Sequence, residues 1–172
     1  MSFGAYSQSV SPLLITMLYL SFQVRPFAEG DRQLVESIYR NCRTEATWLP
    51  PAARKNSDFA RDTSGEKLLV AVGNDDLPIG FLSVWEPDRF IHHLYVRSDM
   101  QGQGVGKALL KALSSQLPMP WRLKCLAANG GALAFYESQG WRAVSSEVGE
   151  EGPHLVLEKH KVDRTSYGSP KR

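Results

Sequence analysis

The run Gln101-Gly102-Gln103-Gly104-Val105-Gly106-Lys107 carries the clearest chemistry in the chain. It follows the strand-like stretch Leu94-Tyr95-Val96 and leads into a helical pattern with apolar residues at Val105, Ala108, Leu109, Ala112 and Leu113. A strand that feeds a helix through glycines gathers free backbone N–H groups at the positive end of the helix dipole. Such a junction is an anion site, and Lys107 adds a positive charge beside it.

Three patterns compete for this run. A Walker-type loop needs a glycine four residues ahead of the Gly-Lys pair and a hydroxyl after the lysine, but Gln101 precedes the spacer and Ala108 follows Lys107. A dinucleotide fingerprint needs Gly-x-Gly-x-x-Gly in a repeated βαβ unit, whereas the spacing here is Gly-x-Gly-x-Gly after three hairpin-linked strands. The third pattern is Gln-x-x-Gly-x-Gly at a strand-to-helix junction, present as Gln101, Gly104 and Gly106. It resembles the acetyl-CoA-binding segment of the GCN5-related N-acetyltransferases (GNAT). A second stretch, Asn129-x-x-Ala132-x-x-Phe135-Tyr136-Glu137-x-x-Gly140-Trp141, is similar to that family's Asn…Ala…Phe-Tyr-Glu…Gly-Phe segment, with Trp141 in place of the usual Phe.

The resemblance implies an α/β (α+β) GNAT fold, a mixed and mostly antiparallel sheet of about seven strands flanked by about four helices. In that fold the strands splay so that a thioester lies between the fourth and fifth. The resemblance further implies acetyl-CoA as cosubstrate, without a metal, and an amine acceptor on a small molecule or peptide. Cofactor contacts would come from Leu94, Tyr95 and Val96, from the turn Gln101, Gly102, Gln103, Gly104, Val105, Gly106 and Lys107, and from Asn129 and Tyr136.

Acetyl transfer to an amine needs an unprotonated nucleophile, a stabilised oxyanion and a proton for the departing thiolate. A free lysine amine titrates near ~10.4, so a base or proton wire must assist at neutral pH. By resemblance the Tyr136 phenol lies near the thioester sulfur as general acid; the competing reading is a helix tyrosine that only packs. For the base, His92, Glu86 or a water are all open, and for each side chain a structural polar role competes. On a regular strand His92 shares a face with Leu94 and Val96, while His93 points the other way with Ile91 and Tyr95; a bulge would exchange them. Cys125 lies off both motifs, which argues for direct attack over an acyl-cysteine. A reading from another class is a non-catalytic acetyl-CoA-binding sensor or protein-interaction module.

Around these motifs the elements follow from periodicity. Leu18 to Val24 alternates as a strand ended by Arg25-Pro26, and Asp31 can cap a helix through about Arg43 that buries Leu34, Val35, Ile38 and Cys42. Thr44 to Thr63 is looser, with a short helix over Ala52 to Phe59 and side chains that could line a pocket; Trp48 could line it or pack on the core. Lys67–Gly73, Ile79–Trp85 and Phe90–Val96 are consecutive antiparallel strands, Trp121–Leu126 is a strand, Ala132–Ser138 a helix, and Trp141–Val148 with His154–Lys159 a closing hairpin. Substrate choice falls to Thr44–Asp62 and the Gly149–Pro153 loop.

The 172 residues suit one domain, divided here into a loose extension (1–17), an acetyltransferase domain (18–160) and a flexible tail (161–172). The net charge of +2 is uneven: from Glu158 onward five basic side chains face two acidic ones, so the body is close to neutral. That balance excludes a broad basic face for nucleic acid. Cys42 and Cys125 have no partner at metal spacing and fit reduced thiols. The apolar run Leu13–Leu20 is too short to span a bilayer and has its first basic residue, Arg25, on the wrong side for a signal peptide. A cytoplasmic protein off the membrane is expected, and a homodimer is compatible with the sequence.

Overall fold

The computed structural model describes residues 21–161. The N-terminal extension, the Leu18–Leu20 start of the first expected strand and the C-terminal tail from residue 162 lie outside the described residues. Seven strands form one sheet: β1 (Gln23–Pro26), β2 (Lys67–Val72), β3 (Pro78–Trp85), β4 (Phe90–Val96), β5 (Trp121–Leu126), β6 (Arg142–Gly149) and β7 (Gly152–Lys159). Their spatial order is β1-β2-β3-β4-β5-β7-β6, and every pairing is antiparallel except β4 with β5. Helices α1 (Arg32–Glu45), α2 (Pro51–Lys55), α3 (Phe59–Asp62), α4 (Val105–Ser114) and α5 (Gly130–Ser138) flank it.

Each face of the sheet has its own core. On one, Leu69, Leu82, Val84 and Ile91 meet Val105, Leu109 and Leu113 of α4, with Tyr136, Trp121 and Trp141 alongside. On the other, Val70, Val72 and Phe81 meet Val35, Ile38 and Tyr39 of α1 and Phe59 of α3. This is the alternation that a strand imposes when helices cover both sides.

Three local expectations differ from the structure. The expected Ala52–Phe59 helix is two pieces, because the Asp58 carboxylate accepts the Arg61 N–H at 3.1 Å and starts a new helix, giving five helices where about four were expected. Asp31 precedes α1 but does not cap it with its side chain. Its carboxylate instead takes the Arg25 guanidinium at 2.7 and 2.9 Å and the Ala28 N–H at 2.8 Å, tying β1 to the start of α1. On α1 itself Leu34 is exposed and Tyr39 takes the buried place, since Tyr39 also donates its hydroxyl to Asp62 at 2.7 Å.

Candidate active site

The β4–β5 pair is the sheet's opening. Cα pairing between these parallel strands is confined to Phe90 with Arg122 and Ile91 with Leu123, after which the strands part. Leu94, Tyr95 and Val96 therefore lie on β4 beyond the point where β5 leaves it. β4 then runs through a 3₁₀ turn into the glycine segment and α4.

Gly102 and Gly104 adopt φ of +74° and +87°, a conformation that side chains with a Cβ avoid. Gly104 stands at the N-cap of α4, and Ala108 N–H is the first to reach back to its carbonyl, at 3.0 Å. The N–H groups of the first turn, through Lys107, have no helical acceptor. A Cβ at either Gly102 or Gly104 would find nothing within 4 Å, so the space beside these two glycines is open. At Gly106 a Cβ would come 3.4 Å from the Phe135 ring, so this glycine lets α4 and α5 approach. Gln101 and Gln103 turn inward to brace the loop: Gln101 donates to the Val96 carbonyl at 3.1 Å and Gln103 to the Asp99 carbonyl at 3.0 Å.

Asn129 caps α5, its side-chain oxygen accepting the Ala132 N–H at 3.1 Å. About two turns on, Tyr136 is 9% exposed and packs against Phe135 and Trp141 at ring distances of 5.2 and 5.5 Å. Burial, with Cys125 and Tyr95 nearby, pushes its phenol above the ordinary tyrosine value, so it is protonated at neutral pH.

The two histidines depart from regular alternation. The β3–β4 register slips between Ser83–His93 and Val84–Ile91, leaving His92 as the extra residue of a bulge. Ile91 joins the α4-side core with Leu94 and Val96, and His93 stays beside Tyr95, so the bulge does not exchange the histidines. It brings both to one side instead, where they line a cavity of about 570 Å³. His93 is partly buried under Tyr39 and shares a hydrogen bond with Ser83 Oγ, 2.7 Å from Nδ1. Burial lowers its pKa to about 4, which makes it neutral near pH 7.

The cavity takes its other walls from Arg43 of α1, from Pro50, Ala52, Ala53, Arg61 and Asp62 of the looser segment, and from Glu150 and Glu151 of the β6–β7 turn. Arg43 crosses it, donating to Glu151 Oε1 at 2.7 Å and to the Ala53 carbonyl at 2.8 Å. Both stretches expected to face a substrate thus do line it, while Trp48 is 42% exposed and does neither of the things expected of it. Glu86 lies outside this cavity in an ion pair with Lys67 at 3.0 Å. The carboxylate that meets the histidines inside it is Glu66, whose Oε1 is hydrogen-bonded to His92 Nδ1. Sequence reasoning passed over Glu66, a lone acid at a turn with no motif around it. His92 also lines a second cavity, of similar size, with Trp85, Phe90 and Lys124.

Residues 36–157 match the acetyltransferase (GNAT) domain family. Comparison with curated protein sequences gives no match. Among solved structures, the apo form of YjaB from Escherichia coli superposes with a TM-score of 0.65 at 22% identity, over 80% of this chain and 97% of that one. The ribosomal-protein-S18-alanine N-acetyltransferase of Escherichia coli gives 0.62 at 18% identity, over 86% and 100%. A GNAT-superfamily phosphinothricin acetyltransferase from Sinorhizobium meliloti, solved with acetyl-CoA, gives 0.59 at 18% identity, over 80% and 87%. These likenesses are to the fold, and the family match spans most of the chain: it belongs to the GNAT acetyltransferases.

Proposed function

We propose that the chain transfers an acetyl group from acetyl-CoA to a primary amine by direct attack of that amine on the thioester. The observation that carries this reading is the double use of β4, whose bulge opens into a polar cavity and whose end feeds the glycine junction. The junction fits the cosubstrate on its own chemistry: N–H groups with no helical acceptor, glycines with open space beside them and a helix dipole suit a pyrophosphate. The gap beyond Ile91 and Leu123 offers the β4 edge to an extended arm.

Bound acetyl-CoA supplies the carbonyl carbon to which the amine nitrogen bonds as the carbon–sulfur bond breaks. The chain's residues handle the protons. His92 takes the proton that the amine sheds, since it lines the cavity, whereas Glu86 does not. Tyr136 gives its phenolic proton to the departing sulfur and is reprotonated from solvent. Cys125 has no part in this: it is 6% exposed and burial pushes its thiol up to about 11, so it is a poor nucleophile at neutral pH.

The test is release of CoA thiol from acetyl-CoA in the presence of spermidine, free lysine, an aminoglycoside and an alanine-ended hexapeptide, each assayed separately. Turnover with at least one amine, with the acetylated product seen by mass, is expected. Tight acetyl-CoA binding with no product from any amine would overturn it in favour of a binding module.

A further inference from the structure

Glu66 is the one carboxylate in the cavity whose environment calls for an explanation. Its side chain is 5% exposed, and among the described residues it has no lysine or arginine partner within ion-pair distance. Oε1 is hydrogen-bonded to His92 Nδ1, while Oε2 is buried without any hydrogen-bond partner, 3.9 Å from His93 Nδ1. His93 offers no charge to offset it, since burial keeps that ring neutral and its Nδ1 is engaged with Ser83. Removing a carboxylate from water without a cation is strongly unfavourable. Among the described residues, His92 is the group placed to become that cation.

The surrounding charges are otherwise matched. Arg61 pairs with Asp62 at 3.0 Å on α3, Arg43 with Glu151 across the cavity at 2.7 Å, and Lys124, from the second cavity, with Glu147 at 3.2 Å. Asp88 and Glu150 are exposed to solvent. A carboxylate only accepts hydrogen bonds, so the bond to Glu66 places the His92 proton on Nδ1 and leaves Nε2 with its lone pair.

We infer that Glu66 is a positioning residue: it fixes the His92 ring with Nε2 as proton acceptor and stabilises the imidazolium formed when the acceptor amine gives up its proton. This rests on the N-acetyltransferase reading, and it uses two residues 26 positions apart in sequence that the β4 bulge brings together. When the C–N bond forms, the amine proton moves to Nε2, the positive charge sits beside Glu66, and the proton then leaves to water. The orphaned Oε2 is the reserve of negative charge that this transient cation meets.

The experiment follows the His92 ring in the full chain labelled with ¹⁵N-histidine, its signals assigned by their loss in His92→Gln. In the parent chain long-range ¹H–¹⁵N spectra should show the Nδ1–H tautomer. In Glu66→Gln the preference for the Nδ1–H tautomer should be lost, because the isosteric amide keeps the shape, loses the charge and donates as well as accepts. With the best amine of the panel, kcat should drop about tenfold or more while the KM for acetyl-CoA stays within about twofold. Glu66→Asp should recover part of both effects. An unchanged His92 tautomer in Glu66→Gln would overturn the inference even if activity fell. A parent chain that shows the Glu66-dependent tautomer but acetylates no amine would instead overturn the transferase reading.

Discussion

At the level of single residues, the acid of the proposed reaction is better matched to its task than its burial first suggests. A phenol raised above its ordinary value gives up a proton reluctantly. Yet in the proposed reaction the thiolate that it protonates would form in the same poorly solvated region, where burial pushes the neighbouring Cys125 thiol up to about 11. Burial disfavours both anions, so it raises the proton affinity of the thiolate along with that of the phenolate. Tyr136→Phe keeps the ring contacts with Phe135 and Trp141 and removes only the hydroxyl. It should lower kcat about 10²-fold and change acetyl-CoA affinity by less than about threefold. Steady-state kinetics beside a direct binding measurement separate the two, and Cys125→Ala should leave turnover nearly intact. Equal kcat in Tyr136→Phe and the parent would leave Tyr136 with packing alone.

At the scale of elements, the β4–α4 junction was legible because its backbone conformation is encoded by glycine. Positive φ at Gly102 and Gly104 leaves a direct mark on the sequence, and the Asn129 cap and the Gly140 stop of α5, at φ +81°, leave others. The bulge at His92 leaves no comparable mark, since any residue can occupy it, and alternation alone put the ring on the wrong side. The split between α2 and α3 depended on a side-chain cap by Asp58, which a helical pattern does not reveal. The junction permits a clean substitution. A Cβ at Gly104 meets no atom within 4 Å, so Gly104→Ala acts through φ alone and costs about 1–2 kcal/mol. If the loop relaxes to escape that φ, its N–H groups turn away, and acetyl-CoA should bind about tenfold more weakly. Gly104→Asn tolerates the left-handed region and should lie between alanine and parent. Calorimetric titration with acetyl-CoA checks the order; equal affinities across the three would show that the loop's conformation does not set binding.

At the scale of the molecule, what the sequence withheld is the contact between distant segments. Glu66 with His92, Tyr39 with Asp62 and Arg43 with Glu151 are each tertiary pairings of isolated polar residues, and no local period announces them. They converge on the α1 face of the sheet, where His93 sits at the centre of an aromatic group formed by Tyr39, Phe81 and Tyr95. That placement ties global stability to pH. The folded protein lowers the His93 pKa from its ordinary 6.5 to about 4 by burying it, with His92 and Arg43 opposing a charge there and Asp62 favouring it. Between those two values the unfolded chain binds a proton that the folded chain refuses. The contribution is therefore fully present above about 6.5 and is lost as pH falls toward 4, with an upper size of roughly 3 kcal/mol. Asp31 and Asp62, whose pKa values are depressed in the folded state, lose their contributions below that window. His93→Gln keeps a polar atom for Ser83 but cannot take the charge, so it should flatten the fall in stability between pH 6.5 and 4. Its absolute stability will be lower because the ring contacts go, and the slope is the deciding quantity. Urea unfolding of parent and variant at half-unit pH steps measures it; parallel slopes would mean that His93 protonates freely in the native state and that the core around it admits water.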